Sequence, residues 1–238
     1  MIDLEDFSEI INWENFFKHS DTFKNNTPFK FVNIEEFFKR PFYEKLYETY
    51  PKFDETWSQS TEFNKSQFVR GFGKNNYGEY AAPGEDPKLS PEWNKLYRYF
   101  HTDEFVENFA KFSGVPVNKM KTFRFTLYRK GGFQLPHIHN EGPSTLIVFF
   151  YFSKGWEKGD PGGTYVASEE DESKIIFETQ NLDNTMSMLQ DGPLSAHGAR
   201  YITKDVERRA LQIYFEVYSE KEGWSRSGFK EQKANIQI

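Results

Sequence analysis

Of the five histidines in this 238-residue chain, His137, His139 and His197 fall in a region patterned as strands. Side chains alternate along a strand, so His137 and His139 project from one face about 6.6 Å apart at ~3.3 Å per residue. That separation suits two ligands of one metal ion. His197 comes 58 residues after His139, behind the turn-forming Asp191-Gly192-Pro193, where a returning strand can bring a third imidazole to the first two. Three ligands on one side of a metal leave further coordination positions open for chemistry. Glu141 has the same strand parity as His137 and is the rival third ligand if the strand runs on past Asn140 and Gly142. The chain has no cysteine, so thiolate zinc sites, iron–sulfur clusters, disulfides and a thiol nucleophile are excluded. Any metal must be held by His, Asp or Glu.

Polar residues on the other strands fit a pocket around such an ion. Arg208 follows His197 by 11 residues and heads the apolar-patterned segment Arg209 to Tyr218. A guanidinium there can grip a carboxylate in fork geometry. Arg209 is the alternative if the strand register is shifted by one residue. Tyr151 interrupts the apolar run Leu146-Ile-Val-Phe-Phe-Tyr-Phe, and a buried phenol needs a polar partner, which a carboxylate ligand would supply. Arg124 and Gln212 sit on strands otherwise rich in apolar residues and are candidates for contact with a substrate; Arg124 either meets an anionic group or pairs with one of the chain's many carboxylates. Other features read as structural. His19 and His101 lie in the helical half and have surface or packing roles. Glu169-Glu-Asp-Glu172 is a solvated loop. Arg70-Gly-Phe-Gly lacks the strand-to-helix setting of a phosphate cradle and reads as a turn.

The elements that must position these residues divide near Met120. Before it, apolar residues recur at helical spacing. Phe42, Leu46 and Tyr50 mark a helix over Pro41 to Tyr50, and Trp93, Leu96, Tyr97 and Phe100 mark another over Pro91 to Phe100. A third, from about Asp103 to Phe112, stops at Gly114. Glu62 to Pro87, rich in Asn, Gly and charge, is expected to be a long loop. From Lys121 the period becomes two: Phe123, Phe125 and Leu127 alternate with Arg124, Thr126 and Tyr128. Further strands are expected over Phe133 to His139, Thr145 to Ser153, Thr164 to Ala167, Lys174 to Thr179, Thr185 to Leu189, Ala196 to Ile202 and Arg209 to Tyr218. Short strands separated by Gly, Pro, Asn and Asp, with no βαβ alternation, make an antiparallel sandwich or barrel. The expected fold is mostly β with N-terminal helices: one domain over 1–238, with helical support over 1–120, a jelly-roll core over 121–218 and a C-terminal extension over 219–238.

Thirty Lys and Arg against 36 Asp and Glu give a net charge of −6, which argues against a phosphate-tracking surface and hence against nucleic acid. The acidic N-terminus is not a secretory signal, and the longest strongly apolar stretch, Leu146 to Phe152, is too short to span a bilayer. A cytoplasmic protein without a membrane partner is the expectation.

Several stretches, in order, resemble the 2-oxoglutarate/iron(II)-dependent oxygenase superfamily, most closely its prolyl-hydroxylase-like branch. They are Phe125-Thr-Leu-Tyr-Arg-Lys-Gly-Gly-Phe-Gln-Leu-Pro-His-Ile-His, Phe149-Phe-Tyr-Phe-Ser-Lys-Gly-Trp, Gly162-Gly-Thr-Tyr, Ser195-Ala-His-Gly and Arg208-Arg-Ala-Leu-Gln-Ile-Tyr-Phe, spanning roughly residues 121–218. The resemblance implies a double-stranded β-helix (jelly roll) binding Fe(II) and 2-oxoglutarate. It makes His137 and His197 the iron histidines, Arg208 the cosubstrate carboxylate ligand, and Tyr151 and Tyr128 pocket tyrosines. It implies molecular oxygen as co-reactant and hydroxylation of an unactivated C–H bond in a small-molecule or peptidyl substrate, with 2-oxoglutarate converted to succinate and carbon dioxide. One departure matters. The usual His-x-Asp or His-x-Glu is here His137-Ile138-His139, which makes His139 the third ligand and the site more positive by one charge. Two alternatives stand beside this: a three-histidine dioxygenase of cupin type that needs no 2-oxoglutarate, and a jelly-roll binding module without redox chemistry. No ordered nucleophile motif supports a hydrolase.

Overall fold

The computed structural model describes residues 5–73, 85–139, 141–157 and 159–217. Among the described residues, five α-helices precede the main run of strands: α1 (Trp13–Phe17), α2 (Ser20–Asn25), α3 (Arg40–Glu48), α4 (Pro91–Phe100) and α5 (Asp103–Ser113). Their ends follow local chemistry. The Ser90 hydroxyl accepts from the Trp93 N–H and Pro91 occupies the first turn of α4, while the Thr102 hydroxyl accepts from the Phe105 N–H at the start of α5. Gly114 closes α5 at φ 73°, a left-handed conformation that glycine adopts without cost from a Cβ. The helical spans expected at Pro91–Phe100 and from Asp103 are present, and the third is shifted slightly to Arg40–Glu48.

The strands are β1 (Phe31–Glu35), β2 (Ser58–Glu62), β3 (Lys65–Gly71), β4 (Lys119–Tyr128), β5 (Phe133–His137), β6 (Leu146–Phe152), β7 (Thr164–Ala167), β8 (Ile175–Glu178), β9 (Asp183–Gln190), β10 (Ala196–Ala199) and β11 (Arg208–Glu216). All pair antiparallel in the order β1-β9-β6-β11-β4-β3-β5-β10-β7-β8, with β2 added on β3. β2 with β3, β3 with β4 and β7 with β8 pair as sequence neighbours, whereas crossovers set β9 between β1 and β6, β11 between β4 and β6, and β10 between β5 and β7, which gives the curled double layer expected of a jelly roll.

Strand alternation sorts the two faces. On β11, Leu211, Ile213 and Phe215 join Phe123, Phe125 and Leu127 of β4 and Leu146, Val148, Phe150 and Phe152 of β6 in the large core under the helices. There the aromatic excess is used for packing: Phe150 meets Phe37 at 5.0 Å and Phe100 at 5.4 Å, Phe105 stacks on Phe100 at 4.0 Å, and Phe109 lies 4.6 Å from Phe215. The alternate residues, Arg208, Ala210, Gln212 and Tyr214, turn to the opposite face, where Ala210 and Tyr214 pack with Ile147, Phe149 and Tyr151 of β6. This second face is the inside of the roll.

The first half differs from the expectation of helices and loops. β1 carries the period-two burial of Val32 and Ile34 and pairs with β9. The span read as a long loop from Glu62 contains β3, which lies between β4 and β5. Its sequence, Lys-Ser-Gln-Phe-Val-Arg-Gly, lacks clean apolar alternation because Gln67 and Arg70 are buried and spend their polar groups inside the protein. Residues 74–84 of that expected loop, Tyr218 and the expected C-terminal extension 219–238 lie outside the described residues. β10 ends at Ala199 rather than Ile202, since the Ile202 backbone bonds to Gly131 and Gly132 instead. Among the described residues, no helix is long and apolar enough to cross a membrane.

Candidate metal centre

β5 and β10 pair with His137 directly opposite His197, while His139 follows two residues beyond the end of β5. This approach needs Gly198: a Cβ there would lie 2.4 Å from the Tyr165 hydroxyl and 2.5 Å from the Gln134 carbonyl oxygen. The pairing brings the three imidazoles into one cluster. His139 Nε2 lies 3.2 Å from His137 Nε2 and 3.2 Å from His197 Nε2. Two metal–imidazole bonds of ~2.0–2.1 Å meeting at octahedral to tetrahedral angles place their nitrogens about 2.8–3.4 Å apart, so both His139 spacings fit neighbouring ligands of one first-row ion, and the three ligand atoms together lie within 4.8 Å of one another.

The protonation states fit as well. His137 Nδ1 faces the Leu135 carbonyl at 3.1 Å and His197 Nδ1 faces the Ser195 carbonyl at 3.0 Å. A carbonyl only accepts, so each Nδ1 carries the hydrogen and each Nε2 presents a lone pair to the cluster. Burial disfavours the charged form of all three rings. It lowers the pKa of His137; at His139, with added repulsion from His197 and His137, it does so strongly; at His197, with repulsion from His137, it pushes the value down to about 3. At neutral pH the three rings are therefore uncharged donors. Glu141, the rival, has its carboxylate 3.5 Å from Lys121 Nζ, and the described metal-binding cluster contains the histidines alone.

Beside the cluster, Arg208 heads β11 opposite Tyr128 and is 2% exposed. Its guanidinium lies 4.7 Å from the Tyr128 ring centre and 5.3 Å from that of Tyr151. Nε donates to the Gly162 carbonyl and Nη2 donates to the Thr164 hydroxyl at 3.0 Å, which also accepts from Tyr151 at 2.5 Å. None of the described carboxylates pairs with it. Arg70, equally buried, does have one, in Asp86 at 2.7 Å. A buried cation without an anion is costly, and a bound carboxylate would relieve that cost. Arg209 points away and pairs with Glu207 at 2.8 Å. Arg208, Tyr128, Thr164, Phe149, Gln212 and His197 line one narrow cavity. A larger surface cleft of about 540 Å³ at Phe7, Trp13 and Tyr99 contains none of these residues. Arg124 and Gln212 face each other across β4 and β11, and Arg124 Nε and Nη2 donate to Gln212 Oε1 at 3.2 and 2.5 Å.

Four further residues support the cluster and were not singled out by sequence. The Tyr128 hydroxyl lies between Gln67 Oε1 and Gln134 Oε1, at 2.8 and 2.9 Å, and Gln134 Nε2 lies 3.2 Å from His137 Nε2. Thr164 stands in the quoted Gly162-Gly-Thr-Tyr stretch, but its bridging role needs the pairing of β7 with β10. Asp191 is 2% exposed and joins the two histidine-bearing segments. Its Oδ2 accepts from the Glu141 and Gly142 N–H groups at 2.5 and 2.9 Å, and its Oδ1 accepts from the Ser195 hydroxyl at 3.1 Å. Asp191→Asn replaces one of these acceptors by a donor. We expect a 10–100-fold loss of metal affinity in a Co(II) titration with the far-ultraviolet circular dichroism unchanged; unaltered affinity would show that the two segments are held without it.

No family model and no curated protein matches the sequence. Solved structures do match the fold. A Burkholderia pseudomallei oxidoreductase of the 2OG-Fe(II) oxygenase family aligns over 90% of this chain and 94% of its own, with a TM-score of 0.60 and 12% identity. A Pseudomonas putida prolyl-4-hydroxylase aligns over 86% of this chain and all of its own, with a TM-score of 0.59 and 11% identity. A Trichoplax adhaerens prolyl hydroxylase, solved with a hypoxia inducible factor peptide fragment, aligns over 94% and 93%, with a TM-score of 0.58 and 12% identity. The chain thus has the jelly-roll fold of the prolyl hydroxylases and 2-oxoglutarate/iron(II) oxygenases, as its motifs led one to expect.

Proposed function

We propose that this protein is an iron(II)- and 2-oxoglutarate-dependent oxygenase that hydroxylates an unactivated C–H bond of a small-molecule or peptidyl substrate. The observation that carries the proposal is the placement, on one inner face, of three uncharged imidazoles with converging Nε2 atoms beside a buried arginine without a carboxylate partner. In this account His137, His139 and His197 hold iron, and Arg208 grips the far carboxylate of 2-oxoglutarate with Thr164 and Tyr151 ordering its approach. When bound, the iron supplies the oxidative chemistry with molecular oxygen and the cosubstrate.

The chain's own residues do the rest. The carbonyls of Leu135 and Ser195 fix the tautomers of His137 and His197, so that no proton must leave either Nε2 when metal binds. The rings of Tyr128 and Tyr151 exclude water around the guanidinium, which strengthens its hold on a carboxylate. Tyr128, with its hydroxyl set between the side-chain oxygens of two glutamines and its pKa raised by burial to about 12, stays a neutral wall. Arg124 and Gln212 face the substrate. The peptide bound by the Trichoplax neighbour supports a peptidyl substrate as one of the two classes.

The three-histidine ligand set also favours a dioxygenase independent of 2-oxoglutarate, and one assay separates the two readings. Purified protein with Fe(II), oxygen and 2-oxoglutarate is expected to release succinate, at a rate raised by the right substrate. Oxygen uptake that proceeds equally without 2-oxoglutarate would instead establish the cupin-type reaction.

A further inference from the structure

Eight arginines lie among the described residues, and six of them, Arg40, Arg70, Arg98, Arg129, Arg200 and Arg209, have a carboxylate oxygen within 3.0 Å. The two exceptions are Arg208 and Arg124. Both face the inside of the roll on the β4–β11 pair, Arg208 opposite Tyr128 and Arg124 opposite Gln212. Four residues along a strand separate them by about 13 Å at ~3.3 Å per residue. The histidine cluster adjoins both. His197 and Gln212 line the cavity that Arg208 closes, and the His139 ring lies 5.5 Å from Tyr214, which is hydrogen-bonded to Gln212 at 3.0 Å.

Arg124 is half-buried, and among the described residues it has neutral partners only. Its Nε–Nη2 edge shares the single neutral oxygen of Gln212, and the Gln212 amide nitrogen is itself committed to Tyr214. The guanidinium also reaches the Tyr214 hydroxyl, so its partners among the described residues are all neutral, and none is the carboxylate that its fork is shaped to grip. Charge points the same way. Three neutral imidazoles offset none of the charge on a divalent ion. A dianionic 2-oxoglutarate balances that ion alone, and the nearby carboxylates are engaged elsewhere, Asp191 by N–H and O–H donors and Glu141 by Lys121, so neither guanidinium has an anion of its own among the described residues.

We propose that the substrate carries a carboxylate and that Arg124, braced by Gln212, is the residue that selects it. This rests on the oxygenase reading for the use of the site, though the recognition itself needs no iron. The test uses paired probes, N-acetyl amino acids with a free carboxylate and the same compounds as carboxamides. Binding is read in two ways: by perturbation of the visible band of the anaerobic Fe(II)–2-oxoglutarate protein, and by thermal shift of Zn(II)-loaded protein without cosubstrate.

We expect the carboxylates to bind at least tenfold more tightly than the carboxamides, the preference to vanish in Arg124→Gln, and part of it to return in Arg124→Lys, which keeps the charge without the fork. Equal binding of the pairs, or binding of no carboxylate, overturns the proposal. So does a preference that survives Arg124→Gln and disappears in Arg208→Ala. Failure of the visible band in the unaltered protein would count against the oxygenase reading instead, while the thermal-shift arm would still decide the role of Arg124.

Discussion

Replacing His197 by alanine is expected to abolish stoichiometric Fe(II) binding while the fold persists. His197 is 2% exposed, is fixed by the Ser195 carbonyl, and presents its Nε2 3.2 Å from that of His139. Its loss removes one of three neutral donors, and among the described residues no carboxylate in the cluster stands ready to replace it. His137→Ala should do the same, since that ring lies directly opposite on the paired strand. His139→Asp should keep iron, because an aspartate at this position supplies an oxygen ligand, but it should weaken the hold on dianionic 2-oxoglutarate by removing one unit of positive charge from the centre. Equilibrium dialysis with iron analysis checks all three variants. Normal iron affinity in His197→Ala or His137→Ala would remove the metal assignment.

The second large effect concerns Arg208. A charge-assisted contact to a carboxylate contributes about 1.5–3 kcal/mol, so Arg208→Ala should weaken 2-oxoglutarate binding at least tenfold and leave Fe(II) binding close to normal. Arg209→Ala should leave cosubstrate binding unchanged, since that side chain pairs with Glu207 on the opposite face of β11. A stability comparison sharpens the contrast. Arg70→Ala strands the buried Asp86 carboxylate and should cost about 3–5 kcal/mol of unfolding free energy. Arg208→Ala strands no carboxylate among the described residues and should cost far less in the ligand-free protein. Isothermal titration and denaturant unfolding measure the two effects; an Arg208→Ala penalty as large as that of Arg70→Ala would make Arg208 a structural residue.

Much of this arrangement was legible in the sequence, for physical reasons that also set its limits. β4, β6 and β11 each bury one apolar face under the helices, so their period-two patterns survive in composition, and the inward parity of Arg124 and Gln212 follows from them. The histidine pair was legible because strand geometry puts residues two apart on one face. β3 was not, because a strand that buries Gln67 and Arg70 looks like a polar loop until the partners of those groups are known. Asp191 was visible only as part of a turn. Its carboxylate matters through the N–H groups of Glu141 and Gly142, and no spacing rule predicts that contact across 50 residues. The register of Arg208 against Arg209, one residue apart, needed the pairing of Arg208 with Tyr128 to be settled geometrically.

If the three imidazoles and Arg208 together bind iron and 2-oxoglutarate as one chelate, anaerobic addition of Fe(II) and then 2-oxoglutarate reveals it by visible absorption. The expected result is a charge-transfer band that saturates at one equivalent of each component, that needs both, and that is lost in His197→Ala. Iron bound at one equivalent with no band at saturating 2-oxoglutarate would contradict it.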